Sequence, residues 1–312
     1  MSNRTRKGFK LDGWINLDKP PGLTSTQALA RVKRALKPQK IGHAGTLDPL
    51  ATGILPLALG EATKTIPFAQ DREKTYTFAI LWGEARDTDD AEGQVIATSP
   101  VRPDEASVRA AMPAFVGDII QTPPRFSAIK IDGQRAYDLA RDGEVIEMKS
   151  RPAWIESLEL TDFAPDRATF RCVCGKGTYM RSLARDLAVA VGTVGHIVDL
   201  RRTAVGPFTL ENAISLDFFT DFDDSAALDN VLLPLETTLD DIPALALNMG
   251  EAAKLRGGQM LSFISRPDLA RLTAIGLDLK VETSALALYD GTPVALVIVQ
   301  GPEIRPVRVL NL

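Results

Sequence analysis

The chain has 312 residues, 45% of them hydrophobic and 24% charged, with 36 basic against 40 acidic side chains and a formal net charge of −4. Those values lie near the globular averages and exclude a disordered, collagen-like or disulfide-framework protein. No apolar run reaches the ~18 residues of a membrane span, the basic start MSNRTRKGFK has no apolar stretch behind it, and the only cysteines form one C-x-C pair, so a reducing, cytoplasmic setting is expected.

Trp14, Ile15 and Leu17 form a short apolar element that stops at the rigid turn Asp18-Lys19-Pro20-Pro21-Gly22. Thr24 and Gln27 have the spacing of a capping box, and Ala28, Leu29, Val32 and Leu36 recur at helical intervals, which predicts a helix from Ser25 to Leu36. Its exposed face carries Arg31, Lys33, Arg34 and Lys37. A glycine-punctuated loop, Ile41 to Pro49, leads into the apolar run Ile54 to Leu59. Lys74 to Trp82 is rich in β-formers and reads as a strand. The acidic stretch Asp87 to Gly93 lacks the EF-hand spacing and reads as a hairpin connection to a short strand at Val95. Pro103-Asp104 opens a helix to about Phe115, a Pro-led loop from Gln121 enters a strand near Lys130, and Arg135 to Arg141 reads as a short helix.

Phe170, Cys172 and Cys174 alternate as on a strand, so both cysteines are expected as small apolar side chains on one sheet face. Thr178 then caps a helix whose Leu183, Leu187 and Val191 share a face, Gly192 closes it, and His196 to Val205 is strand-like. Pro234 to Pro243 is an acidic connector. Beyond it, Ala285–Tyr289, the turn Asp290-Gly291 and Val294–Val299 form a hairpin within a small β-domain from about Ala244 to Leu312.

The net charge conceals a segregation: residues 1–45 carry +8, 46–170 carry −8, 171–208 carry +4 and 209–312 carry −8. Such runs fit solvated faces, and two basic blocks brought together by the fold also fit a polyanion partner. Asp48 precedes a proline, which fixes extended backbone geometry in its glycine-flanked loop. It reads either as a turn aspartate or as a nucleophile or base kept ionised by a cation, for which Arg181 is the candidate. An aromatic side chain such as Tyr76 beside basic blocks suits a splayed-out RNA base.

Taken together in chain order, the motifs resemble the TruB-type tRNA pseudouridine-55 synthase family. The matching stretches are GWINLDKPPGLTS (13–25), KIGHAGTLDPLATGIL (40–55), KTY (74–76), TDDAEGQV (88–95), PPRFSAIK (123–130), GKGTYMRSL (175–183) and LRR (200–202). The resemblance implies an α+β protein: a pseudouridine-synthase catalytic fold over residues 1–243, with a mixed, largely antiparallel sheet and flanking helices, and a C-terminal PUA-like RNA-binding β-domain over 244–312. A thumb-like segment is expected at about 123–151.

The activity implied is isomerisation of the uridine at position 55, in the T loop of tRNA, to pseudouridine by base flipping, without cofactor or metal. Asp48 is then the essential carboxylate and Arg181 its partner. Tyr76 stacks on the flipped base and is a candidate for taking the C5 proton. His43, Tyr179 and Leu200 line the base and its pocket, and Lys19 and Pro20 support the catalytic loop. The implied partner is tRNA, with no membrane and no metal. A monomer is expected, because no oligomerisation pattern is visible. Two rival readings are a tRNA-folding chaperone or RNA-binding protein without turnover, and a glycosylase that releases the base.

Overall fold

A computed structural model of the chain describes residues 8–127, 130–131, 134–135, 148–220, 228 and 230–312. Its first half runs β1 (Gly13–Lys19), α1 (Ser25–Leu36), β2 (Ile41–His43), β3 (Thr52–Leu59), α2 (Ile66–Asp71), β4 (Lys74–Trp82), β5 (Glu84–Arg86), β6 (Val95–Thr98), α3 (Glu105–Ala111), β7 (Gly117–Gln121), β8 (Lys130–Ile131) and β9 (Gln134–Arg135). There follow β10 (Arg151–Ala164), β11 (Arg167–Cys174), α4 (Met180–Ala190), β12 (Gly195–Val205), β13 (Phe208–Thr209) and β14 (Ile214–Ser215). The chain ends in β15 (Ala244–Ala246), α5 (Met249–Arg256), β16 (Leu261–Ser262), α6 (Arg266–Ala274), β17 (Thr283–Tyr289), β18 (Thr292–Gln300) and β19 (Glu303–Val309).

Ten strands form one sheet in the order β14-β1-β3-β12-β4-β11-β10-β7, with β2 on β3 and β13 on β12. The β1/β14 and β3/β12 pairs are parallel and the others antiparallel. This is the mixed, largely antiparallel α+β architecture expected. One face of it packs on α1 and α4 through a core that includes Leu17, Val32, Leu55, Phe170 and Leu187, with the Phe78 and Phe170 rings stacked at 5.4 Å. Cys172 and Cys174 are free thiols buried in that core, as the alternation predicts. The β3/β12 contact is unusually close. Gly53 has φ +98°, and a Cβ there would lie 2.1 Å from the Arg202 carbonyl oxygen, so glycine is what lets the two backbones meet.

The second sheet has the order β15-β17-β18-β19-β16. Asp290 and Gly291 both take positive φ, as the hairpin turn between β17 and β18 requires. An apolar cluster joins the two sheets, with Trp14, Ile54 and Phe208 from the first meeting Leu286, Leu296 and Leu310 from the second, and Leu235 and Leu239 from the connector between them. The connector's acidic residues are also engaged: Arg72 pairs with Asp240, lies 2.6 Å from Asp241 and donates to the Thr238 carbonyl. No helix among the described residues is long and apolar enough to cross a membrane.

Three local expectations change. The helix after Gly177 begins at Met180 with Tyr179, not Thr178, at its N-cap, because the Thr178 hydroxyl is spent on the carbonyls of Gly175 and Trp154. Gln121 Oε1 instead accepts from the Tyr179 N–H at 3.0 Å. The helix from Glu105 turns into a 3₁₀ turn over Met112–Phe115, where Pro113 has no N–H to continue the α ladder. Arg135 lies in β9 rather than in a helix, and residues 136–141 of that expected helix lie outside the described residues.

Candidate active site

The loop between β2 and β3 is held from three sides. Ser25, the first residue of α1, donates to the Leu47 carbonyl at 3.0 Å and accepts from the Leu47 N–H at 2.7 Å. The fully buried Lys19, at the end of β1, sends its ammonium to the carbonyls of Pro20 (2.9 Å), Leu23 (2.7 Å) and Pro49 (3.3 Å). Burial lowers the Lys19 pKa to about 8, and Asp48 opposes that shift. Arg202 of β12 donates to the Gly45 carbonyl at 3.0 Å. Asp48 therefore projects from a fixed backbone, with its side chain 36% exposed.

The Asp48 carboxylate meets the first turn of α4, where Arg181 Nε lies 2.9 Å from Asp48 Oδ2 and the arginine side chain is only 6% exposed. Every side of this guanidinium is engaged. Nη1 donates to the Thr88 carbonyl at 2.9 Å and lies 3.4 Å from Asp90 Oδ2, and Nη2 donates to the Phe126 carbonyl at 2.9 Å. Burial holds the Asp48 carboxyl above its ordinary pKa, Arg181 pulls it down, and Asp90 pushes it up again.

Asp90 is the residue that sequence reasoning passed over. The loop from Asp87 to Gly93 does join the hairpin β5/β6, as expected. It also folds inward, so that Asp90 is buried and its Oδ1 accepts from the Thr88 hydroxyl (2.6 Å) and the Glu92 N–H (3.0 Å). Its neighbour Asp89 takes a positive φ and binds Arg185 of α4 at 2.9 Å. The stretch TDDAEGQV carries the signal, since it is one of the family-like segments.

Asp48 and Arg181 sit in a cavity of about 560 Å³ that Tyr76, Tyr179 and Leu200 also line. Of the eight site residues expected from the sequence, these five converge there. His43, on β2, is half-buried and stands outside the lining, with its Nδ1 lacking a partner among the described residues. Burial and Arg202 lower the His43 pKa. Lys19 and Pro20 also lie outside the lining; Lys19 reaches the loop through the Pro49 carbonyl, and Pro20 offers its own carbonyl to the Lys19 ammonium. Burial raises the pKa values of the Tyr76 and Tyr179 phenols.

Among the other residues of the lining are Arg202, Lys74 and Ser127. Arg202 is 1% exposed and faces Tyr76 across β12 and β4. Lys74 donates to the carbonyls of Gln70 and Arg72, and burial, with Arg202 beside it, lowers its pKa to about 8. Ser127 is buried, and its hydroxyl has no partner among the described residues. No cluster of three or more His, Cys, Asp or Glu suited to a metal occurs among the described residues. The cavity thus presents two ion-paired carboxylates, Asp48 and Asp71, and two phenols.

Comparison with known proteins identifies the family. Residues 33–180 match the family described as TruB family pseudouridylate synthase (N terminal domain), and residues 181–240 match the tRNA pseudouridylate synthase B C-terminal domain. The tRNA pseudouridine synthase B of Rhodospirillum rubrum is 49% identical over 311 residues, covering 99% of this chain and 100% of its own. The protein of that name from Bradyrhizobium diazoefficiens is 52% identical over 317 residues, covering 99% and 89%. Among solved structures, a chain of a Cbf5-Nop10-Gar1 complex superposes with a TM-score of 0.69 at 25% identity, covering 96% of this chain and 84% of that one. A chain of an archaeal box H/ACA sRNP Nop10-Cbf5 complex shares the fold, with a TM-score of 0.70 at 24% identity over 95% and 85%.

Proposed function

The chain belongs to the TruB family of pseudouridylate synthases and is an isomerase that acts on tRNA; on that premise we propose that it converts the uridine at position 55 of the T loop to pseudouridine, with Asp48 as the essential carboxylate. The observation that carries the residue assignment is the Asp48–Arg181 ion pair at 2.9 Å inside the cavity that Tyr76, Tyr179 and Leu200 wall. A base inside a folded loop must be extruded before its glycosidic bond can be reached, at a cost of about a few kcal/mol. An aromatic wall recovers part of that cost by stacking. Tyr76 is the wall in this reading, with Leu200 on the same sheet face and Tyr179 at the start of α4.

Arg181 keeps Asp48 ionised against the burial that favours the neutral acid. Asp48 then assists cleavage of the N1–C1′ bond. The uracil turns inside the cavity, C5 bonds to C1′, and the C5 proton leaves, for which Tyr76 is the candidate acceptor, while N1 ends protonated. An enclosed cavity is needed, because escape of the detached base leaves an abasic tRNA. No cofactor or metal enters this cycle. Lys19 and Pro20 hold the Asp48 loop, and His43 stands behind it. The exposed basic face of α1 takes up phosphates, residues 244–312 act as a PUA-like RNA-binding unit, and the protein works as a cytoplasmic monomer; most of the thumb-like segment expected at about 123–151 lies outside the described residues.

The test is carbodiimide mapping of tRNA from a strain lacking this protein, with loss of the single T-loop stop expected. An unchanged map overturns the assignment of position 55. Mass spectrometry of T-arm RNA after reaction separates isomerisation, which leaves the mass unchanged, from base release, which lowers it. RNA that is refolded but chemically unaltered points to a chaperone.

A further inference from the structure

Arg202 is among the largest fully buried side chains of the protein and has no part in the chemistry assigned above. It lines the same cavity as Asp48 and Tyr76, and among the described residues no carboxylate lies within ion-pairing distance of it. Nε donates to the Ile54 carbonyl at 2.7 Å and Nη2 to the Gly45 carbonyl at 3.0 Å. A guanidinium has five N–H donors, so these two bonds leave capacity unused. The β12/β4 register sets Arg202 directly opposite Tyr76.

The charges that act on this region from the surrounding elements are mostly of the same sign. Lys74 precedes Tyr76 on the same face of β4, Lys19 feels Arg202 from β1, and on β2 Arg202 helps burial to disfavour the charged form of His43. Two carboxylates, Asp48 and Asp71, line the cavity, and they are already engaged by Arg181 and Lys176. A buried cation held only by neutral carbonyls is disfavoured, and hydrogen bonds offset the lost hydration only in part. Its counter-charge is therefore supplied by what enters the cavity. The guanidinium is 1% exposed, so only a guest seated inside the cavity, against the wall it shares with Tyr76 and Gly45, can reach it.

The isomerisation put forward above generates negative charge at one moment. When the N1–C1′ bond breaks heterolytically, the electron pair stays on the ring and spreads over N1, O2 and O4. The electron demand at C1′ is met with the help of Asp48. C5 then bonds to C1′, loses its proton, and N1 gains one, so the sum is an isomerisation that needs no co-reactant. We propose that Arg202 is a catalytic residue that stabilises the detached uracil anion through the donors left free by Gly45 and Ile54; this rests on the uridine-isomerase reading. A donor preorganised in a dry site, where charge develops, acts more strongly than one that must reorient in water.

Replacing Arg202 by Met is expected to lower the single-turnover rate on a T-arm RNA by about 10²- to 10³-fold, the usual effect of removing one such donor. The dissociation constant for the RNA is expected to stay near that of the unaltered protein. In Arg202→Ala, guanidinium ion at concentrations far below those that unfold the protein is expected to restore turnover, and urea, of similar shape but uncharged, is not. Equal rescue by urea, an undiminished rate, or weakened RNA binding with an unchanged rate overturns the proposal.

Should these variants fail to fold, the unaltered protein provides the measurement. Bound to T-arm RNA that is abasic at the target position, it is expected to take up the barbiturate anion in preference to neutral uracil, and absence of that preference overturns the role. If the unaltered protein leaves T-arm RNA unmodified, the uridine-isomerase reading itself fails. Normal turnover in the unaltered protein together with an unaffected Arg202→Met removes only Arg202 from the mechanism.

Discussion

Ser25 and Leu47, 22 positions apart, exchange two hydrogen bonds: the serine hydroxyl donates to the Leu47 carbonyl at 3.0 Å and accepts from its N–H at 2.7 Å. This clasp ties the first turn of α1 to the residue before the candidate carboxylate, so the position of Asp48 is inherited from a helix.

Ser25→Ala is accordingly expected to leave two buried backbone groups unpaired at a cost of about 1–3 kcal/mol. A shift of about 1 Å in a reacting group is enough for about a 10²-fold loss of rate. Denaturant unfolding and single-turnover kinetics should therefore both register the change. A rate loss with unaltered stability means the clasp is not structural.

Asp48→Asn should fold and bind tRNA but release no tritium from 5-tritiated uridine in the substrate. Because burial raises the Asp48 pKa in the folded state, the ionised carboxylate opposes folding at every pH above that raised value. The variant should therefore melt at the same or a higher temperature than the parent at neutral pH. That advantage disappears on acidification, as the carboxyl becomes protonated in folded and unfolded chains alike. Normal tritium release from Asp48→Asn excludes this residue as the essential carboxylate.

Asp90 shares the Arg181 guanidinium and, at 3.4 Å from Nη1, raises the Asp48 pKa. If ionised Asp48 is required, the rate falls on the acid side at a pH above the ordinary aspartate value. Asp90→Asn removes the repulsion and should move that acid limb to lower pH. A shift to higher pH contradicts the arrangement. Asp90→Ala, which strands the Glu92 N–H and leaves the Thr88 hydroxyl only the Asp90 backbone carbonyl at 3.2 Å, should lose far more activity than Asp90→Asn.

Arg31, Lys33, Arg34 and Lys37 are exposed on α1. If they meet phosphates, log Kd should rise linearly with log salt, and the slope should drop by about 0.7–0.9 for each phosphate no longer neutralised. Arg31→Gln combined with Arg34→Gln should flatten the slope by about 1–2, leaving the single-turnover rate at saturating RNA unchanged. A slope that does not respond places the basic footprint elsewhere.

Much of the frame was legible from local pattern. The capping box at Thr24 and Gln27, the β-rich run Lys74 to Trp82 and the Asp290-Gly291 turn all lie where short-range chemistry puts them. Asp90 and Arg202 stand in the family-like stretches TDDAEGQV and LRR, but what each contacts was not legible, for a common reason. An acidic turn has the same composition whether water or a guanidinium from a distant helix receives it. Arg202 in an apolar strand acquires meaning only through the register that sets it opposite Tyr76. Thr178 shows the reverse error: its type and place fit a cap, and tertiary carbonyls took the hydroxyl instead.

The apolar cluster shared by the two sheets links the C-terminal strands to the folding of the catalytic half. Leu286, Leu296 and Leu310 cover Trp14 and Phe208, Lys64 donates to the Val309 carbonyl, and Glu61 accepts from the Asn311 N–H. A chain cut after residue 243 exposes this face of β3, the strand into which the Asp48 loop leads, and of β1, whose Lys19 holds that loop. Calorimetry should accordingly show one cooperative melting transition for the intact chain, and the shortened chain should be prone to aggregate rather than form a smaller working enzyme.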